Sequence, residues 1–161
     1  MLDRDLLTHM LTGRAVIVCV GNEWRGDEGV GHLIAGLVTP SERLSVVDCG
    51  ETPENYLGVI TGLKPDAVIV ISAVGFGATP GEIRILKRRE VGEFELSTLA
   101  PRLLIFTDYI EAQTGAATFF LGIQPATLEF GSSLGQAVAE AGRMLARAIN
   151  ESMEGEGPRR R

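Results

Sequence analysis

Histidine and cysteine are scarce in this sequence: its 161 residues include two of each, His9 and His32, Cys19 and Cys49. A Ser-His-Asp arrangement would have to recruit one of those two histidines. The cysteines show neither the paired spacing of a zinc site nor a CxxC redox motif, and two isolated thiols at the ends of predicted strands are expected to stay reduced and buried. Positive charge is also short. The formal net charge is -6, which argues against general nucleic-acid binding, because neutralising phosphates requires clustered Lys and Arg. The dense basic runs are Lys87-Arg88-Arg89, read as a solvated strand end, and Arg159-Arg160-Arg161, read as part of a tail with Glu151, Glu154 and Glu156 nearby. No apolar run approaches the roughly 20 residues of a membrane span. Asp3, Arg4 and Asp5 break any signal-peptide pattern at the N-terminus. Together these features predict a cytoplasmic protein that engages neither membrane nor nucleic acid. Repeats and linkers are missing too, so the expectation is a single α/β domain over residues 1–150 and a tail over 151–161.

What is present is an alternation of apolar runs and amphipathic stretches. Ala15 to Val20, Leu44 to Asp48, Ala67 to Ile71 and Ala117 to Ile123 read as buried strands, each closed by a turn or loop residue. Glu82 to Leu86 alternates polar and apolar, as a strand with one exposed face does. Helical spacing occurs in Leu2 to Leu11, in Val30 to Val38 after a possible N-cap at Asp27, and from Pro53 to about Gly62. It returns in Ser97 to Ala112 and in Leu134 to Ile149. Strands alternating with helices predict a three-layer α/β/α sandwich around a twisted, mostly parallel five-stranded sheet. Functional loops in such sheets lie beyond the carboxyl ends of the strands. The stretches Gly21 to Gly29, Cys49 to Pro53 and Ser72 to Gly81 are therefore expected to meet at one edge.

The first of these stretches, Gly21-Asn22-Glu23-Trp24-Arg25-Gly26-Asp27-Glu28-Gly29-Val30-Gly31, is the richest in chemistry. It matches neither the G-x-G-x-x-G dinucleotide fingerprint nor the Gly-Lys-Ser/Thr ending of a P-loop. Asp27 can serve as a cap in a first turn where the helix dipole favours negative charge. Glu28 at a strand-helix junction can coordinate a metal or polarise water, or it can simply face solvent. His32 lies four residues on, the spacing that puts two side chains on one helical face. The pair Glu28 and His32 is thus a candidate metal site, set against the plainer reading of a half-exposed helix histidine. Asp48, Glu51 and Asp108 are further carboxylates that could face the loop cluster. Trp24, the only tryptophan, suits a protein contact or a cover for the core.

The same loop resembles the glycine-asparagine and aspartate-glutamate-glycine signature of the nickel-iron hydrogenase maturation endopeptidases. The similarity continues through Val47-Asp48-Cys49-Gly50-Glu51-Thr52-Pro53-Glu54-Asn55 and Gly77-Ala78-Thr79-Pro80-Gly81-Glu82-Ile83-Arg84-Ile85-Leu86. It resumes in Phe120-Leu121-Gly122-Ile123-Gln124-Pro125. It is nearest the branch that serves hydrogen-evolving, membrane-associated hydrogenases. The resemblance implies an aspartic-type peptidase that removes the C-terminal extension of a nickel-loaded hydrogenase large-subunit precursor. It implies no cofactor of the enzyme's own, because the nickel that guides cleavage belongs to the substrate. It also implies three metal-facing groups, of which this chain keeps Glu28 alone. Ser72 stands at the aspartate position, and Leu99 aligns with the histidine in Leu96-Ser97-Thr98-Leu99-Ala100-Pro101. Serine is a weak neutral ligand and leucine has no lone pair. Two expectations therefore remain: an active peptidase with an altered site, or a non-catalytic relative that binds a hydrogenase-like large subunit as an assembly factor.

Overall fold

A computed structural model describes residues 2–91 and 99–155 of the chain, with the side chains of Leu99 and Ala100 outside that description. Helix α1 (Arg4–Met10) leads into β1 (Ala15–Val20), and a one-turn 3-10 segment (Gly26–Gly29) precedes α2 (Val30–Leu37). Strand β2 (Leu44–Gly50), a second 3-10 turn (Pro53–Tyr56) and α3 (Leu57–Gly62) follow. Then come β3 (Ala67–Ala73), β4 (Ile83–Leu86) and the short α4 (Arg88–Val91). Helix α5 (Leu99–Thr114), β5 (Ala117–Ile123) and α6 (Gln136–Gly155) complete the order.

The five strands lie in the order β2-β1-β3-β5-β4, with the first four parallel and β4 antiparallel to β5 at the edge. Every residue of the inner strands β1 and β3 is buried, which is why their sequences are continuous apolar runs rather than alternating ones. Successive side chains still leave on opposite faces. Ile17, Ile69, Ile71 and Leu121 pack with α1, α2 and α6 through Leu7, Ile34 and Leu145. Val16, Val18, Val68, Val70 and Phe120 pack on the other face with α3 and α5 through Ile60, Leu103 and Phe106. The predicted three-layer α/β/α sandwich is therefore the observed one.

Three expectations change in detail. Strand β3 runs to Ala73, so Ser72 sits inside the strand, opposite Gly122 of β5, rather than in the loop beyond it. Helix α6 continues to Gly155, so residues 151–155 of the expected tail are helical; residues 156–161 lie outside the described residues, as do Leu96, Ser97 and Thr98. Asp27 does not cap α2.

Asp27 is wholly buried, and its carboxylate reaches across the molecule. Oδ2 accepts from the backbone N–H of Ala126 at 2.7 Å and of Thr127 at 3.2 Å, and Oδ1 accepts from that of Gly135 at 2.8 Å. Backbone bonds extend the seam: Asp27 N donates to Thr127 O, Gly26 N to Ser132 O and Gly131 N to Trp24 O, the last at 2.7 Å. The two segments approach so closely that a Cβ on Gly26, whose φ is +55°, would meet Thr127 O at 2.7 Å. The first loop and the β5–α6 connection are thus held as one unit. Replacing Asp27 with Ala leaves three amides without their acceptor, each a loss of about 1–3 kcal/mol where water cannot enter. Urea unfolding of Asp27→Ala is expected to show a loss of about 3 kcal/mol or more; a loss below about 1 kcal/mol would show the seam to be dispensable.

Candidate functional site

The carboxyl ends of β1 and β2 form the floor of the site. Gly21 N donates to Gly50 O at 2.8 Å, and the register of the two strands slips between Cys19 and Val20. Gly21 has φ +151°, and a Cβ there would lie 2.4 Å from Glu28 O. Only glycine allows the strand end to press so closely against the 3-10 turn that carries Glu28. The Glu28 carboxylate is buried, 7% exposed. Its Oε1 accepts from Asn22 N at 3.1 Å, while Oε2 is buried without a hydrogen-bond partner and lies 3.7 Å from Arg25 Nε. That guanidinium also donates to Leu128 O at 3.3 Å.

Beside this turn lies an open cavity of about 400 Å³ whose lining includes Asn22, Glu23, Trp24, His32, Asp48 and Tyr56. Asp48 Oδ2 is 2.6 Å from His32 Nδ1, and Glu23 Oε2 is 3.1 Å from His32 Nε2. With a carboxylate at each ring nitrogen, both nitrogens are best satisfied as N–H donors, which is the imidazolium form. The hydrogen bond from Asp48 raises the His32 pKa above its ordinary 6.5; partial burial opposes this, and the charges of Asp48 and Glu23 add to it. Cys49 also lines the cavity, but burial, reinforced by Asp48 and Glu54, pushes its thiol up to about 12. Burial likewise lifts the Cys19 thiol far above its usual range. Neither offers a thiolate at neutral pH.

The structure gathers only part of the expected constellation. His32 turns to Asp48 and Glu23, whereas Glu28 turns to Asn22 and Arg25. The expected common face is lost because residues 26–29 wind as a 3-10 turn and α2 begins only at Val30, so the four-residue spacing spans a change of pitch. Ser72 is 4% exposed and its hydroxyl donates to Ala73 O at 3.5 Å. Leu99 opens α5, and its side chain lies outside the described atoms. Among the described residues no three of His, Cys, Asp and Glu are disposed to hold a metal ion. The Ser72 to Gly81 stretch does not line the cavity; it is tied instead to the residue just after β5, Gln124, whose Oε1 accepts from Phe76 N and Ala78 N. Asp48 and Glu51 do line the cavity, while Asp108 pairs with Arg88 at 2.9 Å on the surface. Trp24 stands at the cavity, 66% exposed. Glu23 was missed as His32's second partner, although its place in the same glycine-bounded loop was the available signal.

This scaffold has recognisable relatives. The sequence profile described as hydrogenase maturation protease matches residues 30–152. The chain belongs to that family. It is 33% identical over 145 residues to the hydrogenase 3 maturation protease of Escherichia coli K12, an alignment that covers 88% of this chain and 92% of that one. The crystal structure of the nickel-iron hydrogenase maturation protease HycI from Thermococcus kodakarensis KOD1 superposes with a TM-score of 0.80 at 31% identity, covering 92% of this chain and 99% of the other. The solution structure of the endopeptidase HycI from Escherichia coli gives 0.77 at 30% identity, covering 86% and 90%. These relatives support both the family and the branch that the sequence motifs resemble. Among the described residues of this family member, no helix is long and apolar enough to cross a membrane.

The site so arranged offers a buried carboxylate with one oxygen lacking a hydrogen bond and, a few residues away, a histidine clasped by two carboxylates. Because the folded pKa of His32 is raised, the clasp contributes to stability fully below pH 6.5, its ordinary value, and that contribution is lost as pH rises through the folded pKa. An NMR titration is expected to place the His32 midpoint above 6.5 and to move it back toward that value in Asp48→Asn. An unmoved midpoint in the variant would remove Asp48 as the cause.

Proposed function

We propose that this chain acts in hydrogenase maturation as an endopeptidase that trims the C-terminal extension of a hydrogenase large-subunit precursor. The observation that supports the reading is Glu28. A carboxylate 7% exposed, with Oε1 fixed by Asn22 N–H and Oε2 left without a hydrogen-bond partner, is an expensive arrangement to maintain in a merely structural turn. A buried carboxylate oxygen of this kind can accept a proton from an attacking water or polarise it against a peptide carbonyl. Peptide hydrolysis also needs a proton for the departing amine, and His32 as an imidazolium at the neighbouring cavity can supply one. In this reading the protein works in the cytoplasm, its partner is the precursor polypeptide, and it carries no cofactor of its own, the nickel arriving with the substrate.

A second reading is favoured by a specific observation. Ser72, buried within β3 and bonded only to the backbone beside it, supplies no second carboxylate. On that ground the chain is a binding or assembly factor for a hydrogenase-like large subunit and does not cut it.

One experiment separates the two. A nickel-loaded large-subunit precursor from the same organism is incubated with wild type and with Glu28→Gln, and the products are weighed by mass spectrometry. Release of a defined C-terminal peptide by wild type, slowed at least about 100-fold in the variant, is expected for loss of a group engaged in proton transfer. Binding of the precursor without any cleavage establishes the assembly factor instead.

A further inference from the structure

The polar groups around Glu28 have a common feature: apart from Glu28 Oε2, which lacks a hydrogen bond and has only an ion pair, each is already engaged within the protein. Glu28 Oε1 holds the Asn22 N–H. Its Oε2 faces the fixed guanidinium of Arg25 at 3.7 Å, a positive charge that repels a second cation. Both nitrogens of His32 lie against carboxylates, and each carboxylate so used has the imidazolium as its counter-charge. The chain has one other histidine. That is His9 in α1, the helix that leads into the start of β1 at the opposite edge of the sheet. The Ser72 hydroxyl is buried in β3. The Cys49 thiol is held protonated by burial. Nickel and similar borderline cations want imidazole nitrogen, thiolate or several carboxylates converging on one point, and no such convergence exists among the described residues.

We infer that this chain recognises its partner as polypeptide alone and does not read the nickel: a nickel-free large subunit and a nickel-loaded one are equivalent to it. The inference rests on the hydrogenase reading for the partner, but its basis in this chain is the donor set around Glu28 and His32. The relevant partner chemistry is then a large-subunit chain presented before metal insertion, or one that never receives the metal. The physical ground is linkage. An ion on the partner changes affinity only through differential contact, and here the groups that would make that contact face one another or a guanidinium.

The test has two parts. Isothermal titration of the full chain with nickel chloride near neutral pH is expected to show no saturable binding up to about 1 mM. Stoichiometric binding at micromolar nickel, lost in Glu28→Gln, would overturn the inference. Precursor purified with and without nickel is then bound to immobilised wild-type chain. Affinities equal within about twofold are expected, and a nickel-loaded form bound about tenfold more tightly overturns it. A precursor that binds in neither form tells against the hydrogenase partner, whereas the titration of the chain alone still decides whether it holds nickel.

Discussion

The buried carboxylate of Asp27 is the contact on which the rest of the site depends. A carboxyl group with no solvent exposure is tolerable only if its oxygens find partners, and here three backbone amides supply them. The seam that results joins the loop after β1 to the connection after β5. It fixes the 3-10 turn, and the turn sets where Glu28 points. Arg25, one turn earlier, borrows its second anchor, Leu128 O, from the same connection. The geometry around Glu28 is therefore built by two segments about 100 residues apart in sequence.

That construction separates two chemical environments that the linear sequence runs together. On the Glu28 side the surroundings are buried, and one oxygen has an ion pair but no hydrogen bond. On the His32 side they are open, acidic and shaped by Asp48 at the end of β2 and Glu23 in the loop. Arg102 steadies the second loop, donating to Glu51 O at 2.8 Å and pairing with the Glu54 carboxylate. Asn22 belongs to both environments, lining the cavity while its N–H holds Glu28.

The architecture was legible in the sequence because the inner strands announce themselves. Ala15 to Val20 was bounded to the residue, since a strand covered on both faces tolerates few polar residues, and Ala117 to Ile123 was bounded by the Gln124-Pro125 that ends it. The site was legible only as far as local rules reach. Asp27 reads as a cap because its nearest helix is the only partner visible in sequence, and the amides that it binds lie far downstream. The pairing of Glu28 with His32 presumed an unbroken α-helix, which a 3-10 turn interrupts without any proline to mark it. Ser72 reads as a loop residue because apolarity stops at Ile71, although the backbone ladder with β5 continues through Ala73. For Asp27 and Ser72 long-range hydrogen bonds overrode the short-range preference, and for Glu28 and His32 a local change of helical pitch did so.

The two thiols illustrate how register alone can rule out a chemistry. Cys19 and Cys49 sit on adjacent strands, with Cys19 opposite Asp48 in the ladder, and both are free and buried. Cys19 nevertheless packs into the layer of α2 and α6, and Cys49 into the layer of α3 and α5. A disulfide needs two Cβ atoms about 3.8 Å apart and directed toward one another, and the sheet backbone stands between these two. An oxidising environment therefore cannot staple β1 to β2 within the native fold. The strand ends that carry the site are insulated from redox locking by nothing more than a one-residue offset.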